Sequence, residues 1–224
     1  MAMDFSPFWI SLKTAITATL LTVFIGTYIA YKMAFYKGPG KGIIDGLLNL
    51  PLVLPPTVVG FFLLLIFGRR GILGSMLYEM GIQIVFTWWG NVIAASTVAF
   101  PLMYKTTRSA IEQVDRSYIQ AAKTLGASEK RIFFKILLPL AWPGLAAGSV
   151  LAFARAMGEF GATLMIAGSI IGETRTMPIA IFFASESGND QEALIWVFII
   201  CMLSIGMISL MNYWLEYSQK YIRE

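Results

Sequence analysis

The sequence contains no histidine and a single cysteine, Cys201, and Asp, Glu, Lys and Arg together make up only 13% of its 224 residues. Each shortage closes a class of function. One thiol cannot form a disulfide scaffold within the chain. With no His and one Cys, a zinc site of the usual nitrogen and sulfur ligands is excluded, and Cys201 reads as a small apolar packing residue. Soluble domains carry about 25% charged residues, and half that share cannot cover a soluble surface. Disorder is excluded as well, because 57% of the residues are hydrophobic and the mean hydropathy is +0.70. No Gly-x4-Gly-Lys-Ser/Thr phosphate loop occurs. A chain that moves a solute uphill without one must take its energy from another subunit or from an ion gradient. The carboxylates within apolar stretches reduce to Asp45 and Glu159, both near ends, which is too few for a proton relay. No inverted repeat is visible, which argues against a self-sufficient secondary carrier. No nucleophile with a companion base points to an intramembrane hydrolase.

What the sequence does have is long apolar runs. A helix crossing the hydrocarbon core needs roughly 20 mostly apolar residues. Five stretches meet that need: 10–31, 43–68, 85–104, 137–157 and 194–215. The expected fold is all-α, a polytopic membrane helical bundle forming one transmembrane domain over 1–224. Lys13, near the start of the first stretch, can reach the interface along its own stem. That stretch lacks a basic leader and a small-residue cleavage signal, so it is expected to be a retained helix. Between the fourth and fifth stretches, 162–171 is apolar but too short to cross. It reads as a re-entrant or interfacial piece, the alternative being a sixth crossing over 161–183.

The basic residues orient the bundle. Lys32, Lys37 and Lys41 follow the first stretch, seven more lie in 105–135, and Lys220 and Arg223 end the chain. The opposite side holds Arg69, Arg70, Arg155 and Arg175. Twelve against four puts the long loop 105–136 and the C-terminus in the cytoplasm, and five crossings then leave the N-terminus outside.

Three features break the regularity of the spans. Pro51, Pro55 and Pro56, followed by Thr57, interrupt the second stretch. Each proline removes a backbone donor and forces a kink or break, which lipid does not tolerate unless protein or a watery cavity surrounds it. A segment lining a pathway or gate and a packing kink between helices both fit. Gly144 and Gly148 form a small-xxx-small pair suited to close helix packing, within the subunit or across a dimer, and compatible with a sliding surface for alternating access. Arg155 and Glu159 are four apart on one helix face near the outer end of the fourth span, which suits a structural ion pair better than the alternative, an anion-binding site. Trp88, Trp89 and Trp196 fit an interfacial aromatic belt.

The cytoplasmic loop carries the sharpest pattern. Asp115 suits an N-cap and Gly126 a left-handed C-terminal position, which predicts a short helix over 116–125. Its Tyr118, Ile119, Ala122 and Leu125 fall on an apolar stripe, and Ser128 can cap a second helix running to Pro139. Hung between two spans, such a helix has no core of its own. It can lie on headgroups or dock into a groove on a soluble partner.

The arrangement Gln120-Ala-Ala-x3-Gly126-x9-Ile136-x-Leu138-Pro139 resembles the "EAA" loop of binding-protein-dependent ABC importer permeases, with every spacing met. Gln120 stands where that family usually carries Glu, so no role for a carboxylate is carried over. The resemblance extends over most of the chain. Leu50-Pro-Leu-Val-Leu-Pro-Pro-Thr-Val-Val-Gly60, Gly68-Arg-Arg-Gly71, Phe100-Pro-Leu102, Ala154-Arg-Ala-Met-Gly-Glu-Phe-Gly-Ala-Thr163 and Gly172-Glu-Thr-Arg-Thr176 are similar to blocks of the molybdate permeases. Sulfate permeases share parts of them, and tungstate permeases are near neighbours. The resemblance implies a homodimeric transport subunit in a bacterial or archaeal cytoplasmic membrane, without an ATPase site or cofactor of its own. ATP and Mg would sit on a separate cytoplasmic ABC subunit, and an extracytoplasmic binding protein would deliver the oxyanion. Gln120, Ala121, Ala122, Leu125 and Gly126 would belong to the coupling helix, and the segment holding Pro51, Pro55, Pro56 and Thr57 to the gate. An oxyanion is costly to strip of water and few basic residues lie in the spans, so a pathway without a tight binding site is expected.

Overall fold

The computed structural model describes residues 4–222, and side chains through 210 together with that of Tyr213. Arg223 and the side chain of Lys220, both used above to orient the C-terminus, lie outside this description. The described residues form helices and connecting turns, in the order α1 (Ser6–Phe35), α2 (Lys41–Val53), α3 (Pro56–Phe67), α4 (Ile72–Glu79), α5 (Trp88–Glu112), α6 (Arg116–Thr124), α7 (Glu129–Ile132), a π-helical turn (Phe133–Leu137), α8 (Leu138–Met157), α9 (Gly161–Ala167), α10 (Met177–Glu186) and α11 (Asp190–Ile222).

Three helices, α1, α5 and α8, pack against one another and form the body of the bundle. Apolar side chains gain little by leaving lipid for protein, so membrane helices associate through small residues that let backbones approach. Ala15, Ala18, Ala95, Ala99, Ala141 and Ala152 supply that contact, all buried in one cluster. Gly144 and Gly148 belong to it too: a side chain at either would collide with Ala110 or Thr106 of α5. Their small-residue pair therefore serves packing inside the subunit. α11 lies against α10 and α8 and leaves Leu194, Phe198, Met202 and Ile205 exposed. Trp196 departs from the expected interfacial belt. It is 0% exposed, edge-on to Phe5, because its helix face points into the bundle.

The segment 43–68 is not one straight crossing. α2 and α3 meet at a bend of 113° at Leu54–Pro55, where Pro55 and Pro56 remove successive amide donors. α3 then turns against α9, and Val59, Leu63, Ala162 and Ile166 share a second buried cluster with Val98 of α5. The segment 161–183 is likewise not a continuous helix. α9 and α10 are joined by a loop in which Gly168 and Gly172 take positive φ. That loop is tied down by Asn91, whose side-chain amide donates to the Thr174 carbonyl at 2.9 Å, and by Ser11, whose hydroxyl accepts from the Met177 amide at 2.8 Å.

α5 runs past Tyr104 to Glu112, so the loop expected over 105–136 begins as a continuation of the helix before it. The stretch 137–157 is likewise part of a longer helical run, from Glu129 to Met157. With α1 and α11 this run is one of three helices among the described residues long and apolar enough to cross a membrane, four if α2 and α3 count as one broken crossing, against the five expected. Its π turn spans Lys135, whose carbonyl would otherwise meet the ring of Pro139 four residues on.

Candidate coupling surface and gate

α6 is held at both ends by its own sequence. The Asp115 carboxylate accepts from the Ser117 amide at 2.8 Å, and this backbone bond, reinforced by the Ser117 hydroxyl, holds the Asp115 carboxyl below its ordinary value. At the other end Gly126 takes φ 74°. Its amide donates to the Lys123 carbonyl at 3.0 Å and the Ala127 amide to the Ala122 carbonyl at 3.0 Å. These paired bonds close the helix with a left-handed residue. Nothing lies within 4 Å of where a Gly126 side chain would begin, so the backbone angle alone calls for glycine there. Ser128 then caps α7 through the Arg131 amide.

The apolar residues of α6 do not form one stripe on a free helix. Ala122 is buried and Ile119 half-buried in the main cluster with Ile111 and Ile132, so the helix rests on its own bundle. Tyr118, Ala121 and Leu125, spaced i, i+3 and i+7, face away from it. Leu125 is 86% exposed and Tyr118 57%, and Ala121 and Gln120 are exposed beside them. The inner column fixes the helix and the outer one presents an apolar ridge.

At the C-terminal end of α8, one carboxylate joins that helix to α9. Glu159 is 3% exposed. Its Oε1 accepts from the Ala162 amide at 2.8 Å, a free donor of the first turn of α9. Its Oε2 lies 2.7 Å from Arg155 Nη1. This second contact is ionic and does not meet hydrogen-bond geometry. α9 in turn meets the proline break backbone to backbone. A Cβ on Gly161 would stand 3.1 Å from Pro56 Cβ and 3.3 Å from the Thr57 amide, and one on Gly60 would stand 2.8 Å from Ala162 Cα. Pro55, Pro56 and Thr57 nonetheless remain exposed, and Pro51 is half-buried. Pro51 lines an apolar cleft of about 400 Å³ between α1, α2 and α5. The structure thus brings Pro56, Thr57, Arg155 and Glu159 into one neighbourhood and keeps the α6 residues apart from it.

The family described as "Binding-protein-dependent transport system inner membrane component" matches residues 22–218. The chain belongs to this family. Among its relatives, the molybdenum transport system permease protein ModB of Escherichia coli K12 is 45% identical over 203 residues, 90% of this chain and 88% of that protein. The putative molybdenum transport system permease YvgM of Bacillus subtilis is 42% identical, covering 92% and 90% of the two chains. A probable sulfate transport system permease of Chlorokybus atmophyticus is 33% identical, covering 97% and 76%. A solved structure of the MetNI methionine ABC transporter, in inward-facing conformations, superposes with a TM-score of 0.73 at 14% identity over 94% of both chains. A bacterial alginate ABC transporter with its substrate-bound periplasmic protein gives 0.69 at 16% identity, over 92% of this chain and 77% of that one. These two share the fold, that of an ABC transporter transmembrane domain. The protein is a multi-pass membrane permease.

This permease also carries a polar cluster that sequence reading missed. Asp45 of α2 accepts from the Tyr104 hydroxyl at 2.6 Å and from Arg108 Nη1 at 2.6 Å. Arg108 Nε donates to Glu112 Oε1 at 2.9 Å. Only the (i, i+4) spacing of Tyr104, Arg108 and Glu112 was visible beforehand; the partner on α2 was not. Another face of α5 frames, with α8, a groove of about 880 Å³ that reaches down to Asp115 and Tyr118. Among the described residues no three His, Cys, Asp or Glu side chains gather at metal-ligand spacing.

Proposed function

We propose that this permease is the membrane subunit of an ATP-driven importer for molybdate. Two copies form the pathway, two copies of a cytoplasmic ABC subunit bind ATP and Mg beneath them, and an extracytoplasmic binding protein delivers the oxyanion. The C-terminus and α6 face the cytoplasm and the N-terminus faces out, in the cytoplasmic membrane of a bacterium or archaeon. The observation that carries the reading is the outward ridge of α6. An 86% exposed leucine beyond the spans, on a helix capped at both ends, is a ready-made anchor for a groove on a partner.

In this reading Tyr118, Gln120, Ala121 and Leu125 contact the ATPase, while Ala122 and Gly126 hold the helix in position to do so. ATP-driven closure of the ATPase dimer moves α6. The bundle transmits that motion to the proline break, where Pro51, Pro55, Pro56 and Thr57 form the gate. Arg155 and Glu159 neutralise one another and brace α9 behind it. The chain supplies no ATPase chemistry, and selectivity rests with the delivering protein.

Molybdate is favoured by the names of the relatives at 42–45% identity. The sulfate permease at 33% supports a second reading with sulfate as cargo. Stimulation of ATP hydrolysis by the assembled complex, with its binding protein loaded with molybdate, tungstate or sulfate in turn, separates the two. Stimulation by molybdate is the expected result, and stimulation by sulfate alone would move the assignment.

A further inference from the structure

α2 is an unusual helix for its position. None of its residues is buried, and Ile43, Leu47 and Val53 stand largely exposed. Its packing is chiefly against α5, with Leu48 touching the small cluster around Ala30, Met33 and Tyr104. What fixes it laterally is polar. The Asp45 carboxylate takes both the Tyr104 hydroxyl and Arg108 Nη1 at 2.6 Å, and Arg108 Nη1 also donates to the Tyr104 oxygen at 3.0 Å. Tyr104 is 0% exposed, so its hydroxyl position is set by the bundle. The ion pair itself is part-exposed, at 19% for Arg108 and 36% for Asp45, and exposed pairs add little to stability. The cluster is therefore better suited to holding a geometry than to holding the fold together.

That geometry spans the two ends of the proposed machine. α5 ends at Glu112 and α6 begins at Arg116. Arg108 bonds Glu112 on one side and Asp45 on the other. α2 then runs directly into the bend of 113°. We propose that Asp45, clamped by Tyr104 and Arg108, is the positioning residue through which α5 carries α2, so that motion entering at α6 reaches the proline break. This rests on the coupling role given to α6 above.

The test is made on the assembled complex in proteoliposomes, reading oxyanion imported per ATP hydrolysed. Asp45→Asn keeps an acceptor for Tyr104 and leaves Arg108 paired with Glu112, so the fold is retained. The ratio should fall about threefold or more while ATP hydrolysis stays near wild type. Asp45→Glu, which keeps a carboxylate for Arg108 and Tyr104, should retain most of the wild-type ratio. A wild-type ratio in Asp45→Asn overturns the proposal, and so does a parallel fall of transport and hydrolysis, which a merely structural role predicts. Should Asp45→Asn fail to assemble, Tyr104→Phe takes its place: a lowered ratio supports the clamp and an unchanged one overturns it. If the wild-type complex imports sulfate and not molybdate, the cargo assignment falls, and the same ratio, read with sulfate, still decides the clamp.

Discussion

Gly60 and Ala162 meet backbone to backbone: a Cβ on Gly60 would stand 2.8 Å from Ala162 Cα and 3.0 Å from its carbonyl oxygen. This contact seats α3 on α9. Gly60→Ala should therefore destabilise the purified permease by about 1–3 kcal/mol, the usual range for overpacking, seen as a lowered unfolding midpoint in detergent. Gly46→Ala is the control. It adds the same methyl within α2, where nothing lies within 4 Å, and should be neutral or slightly stabilising. Equal effects from the two would mean that α3 and α9 are not closely packed.

The Glu159 carboxylate serves a helix terminus and a guanidinium at once. Glu159→Leu strands Arg155 and uncaps α9, and removing one partner of a buried pair costs about 3–5 kcal/mol. Because Arg155 keeps 28% of its side chain exposed, the lower end, about 3 kcal/mol, is expected. Glu159→Gln should cost less, since an amide oxygen still accepts from Ala162. A double-mutant cycle with Arg155→Met checks this; additivity would mean that the pair carries no coupling energy.

The two columns of α6 should separate docking from folding. Leu125→Ser should leave thermal stability within about 0.5 kcal/mol and weaken retention of the ATPase by on the order of tenfold, read by co-purification. Ala122→Asp should instead unfold the loop by burying a charge. Loss of stability in Leu125→Ser, with the ATPase still held, would place the ridge in the permease core.

Gly126 separates backbone from side chain. Gly126→Val should cost about 2 kcal/mol through the left-handed angle and release the ATPase, whereas Gly126→Asn, which tolerates that angle, should retain most of the activity. Equal loss in both variants would point to a contact at Gly126 and not to its φ.

Features set by neighbours in the chain were legible in the sequence. Asp115, Gly126 and Ser128 could be read as caps because a cap is a property of a few consecutive residues, and Pro55–Pro56 announced a break because proline acts on its own turn. Features set by distant neighbours were not. Asp45 meets Tyr104 and Arg108 from 59 and 63 residues away, and no local pattern encodes that meeting. Trp196 was expected at the interface because hydropathy cannot tell a bundle-facing column of a helix from a lipid-facing one. The same ambiguity merged Ile119 and Ala122 with Tyr118 and Leu125, which lie on adjacent columns of α6 but point to different surroundings. The prolines mark where the chain breaks but not that the bend is 113° or that α3 beyond it is seated on α9 at Gly60.

The central claim is that this permease moves an oxyanion only when driven from the cytoplasm by a partner. It is tested most directly by molybdate uptake into proteoliposomes holding the permease alone, and the permease with its ATPase and loaded binding protein, each with and without ATP. Uptake confined to the full assembly with ATP is the predicted result. Sustained accumulation by the permease alone, or by the assembly without ATP, would contradict the account.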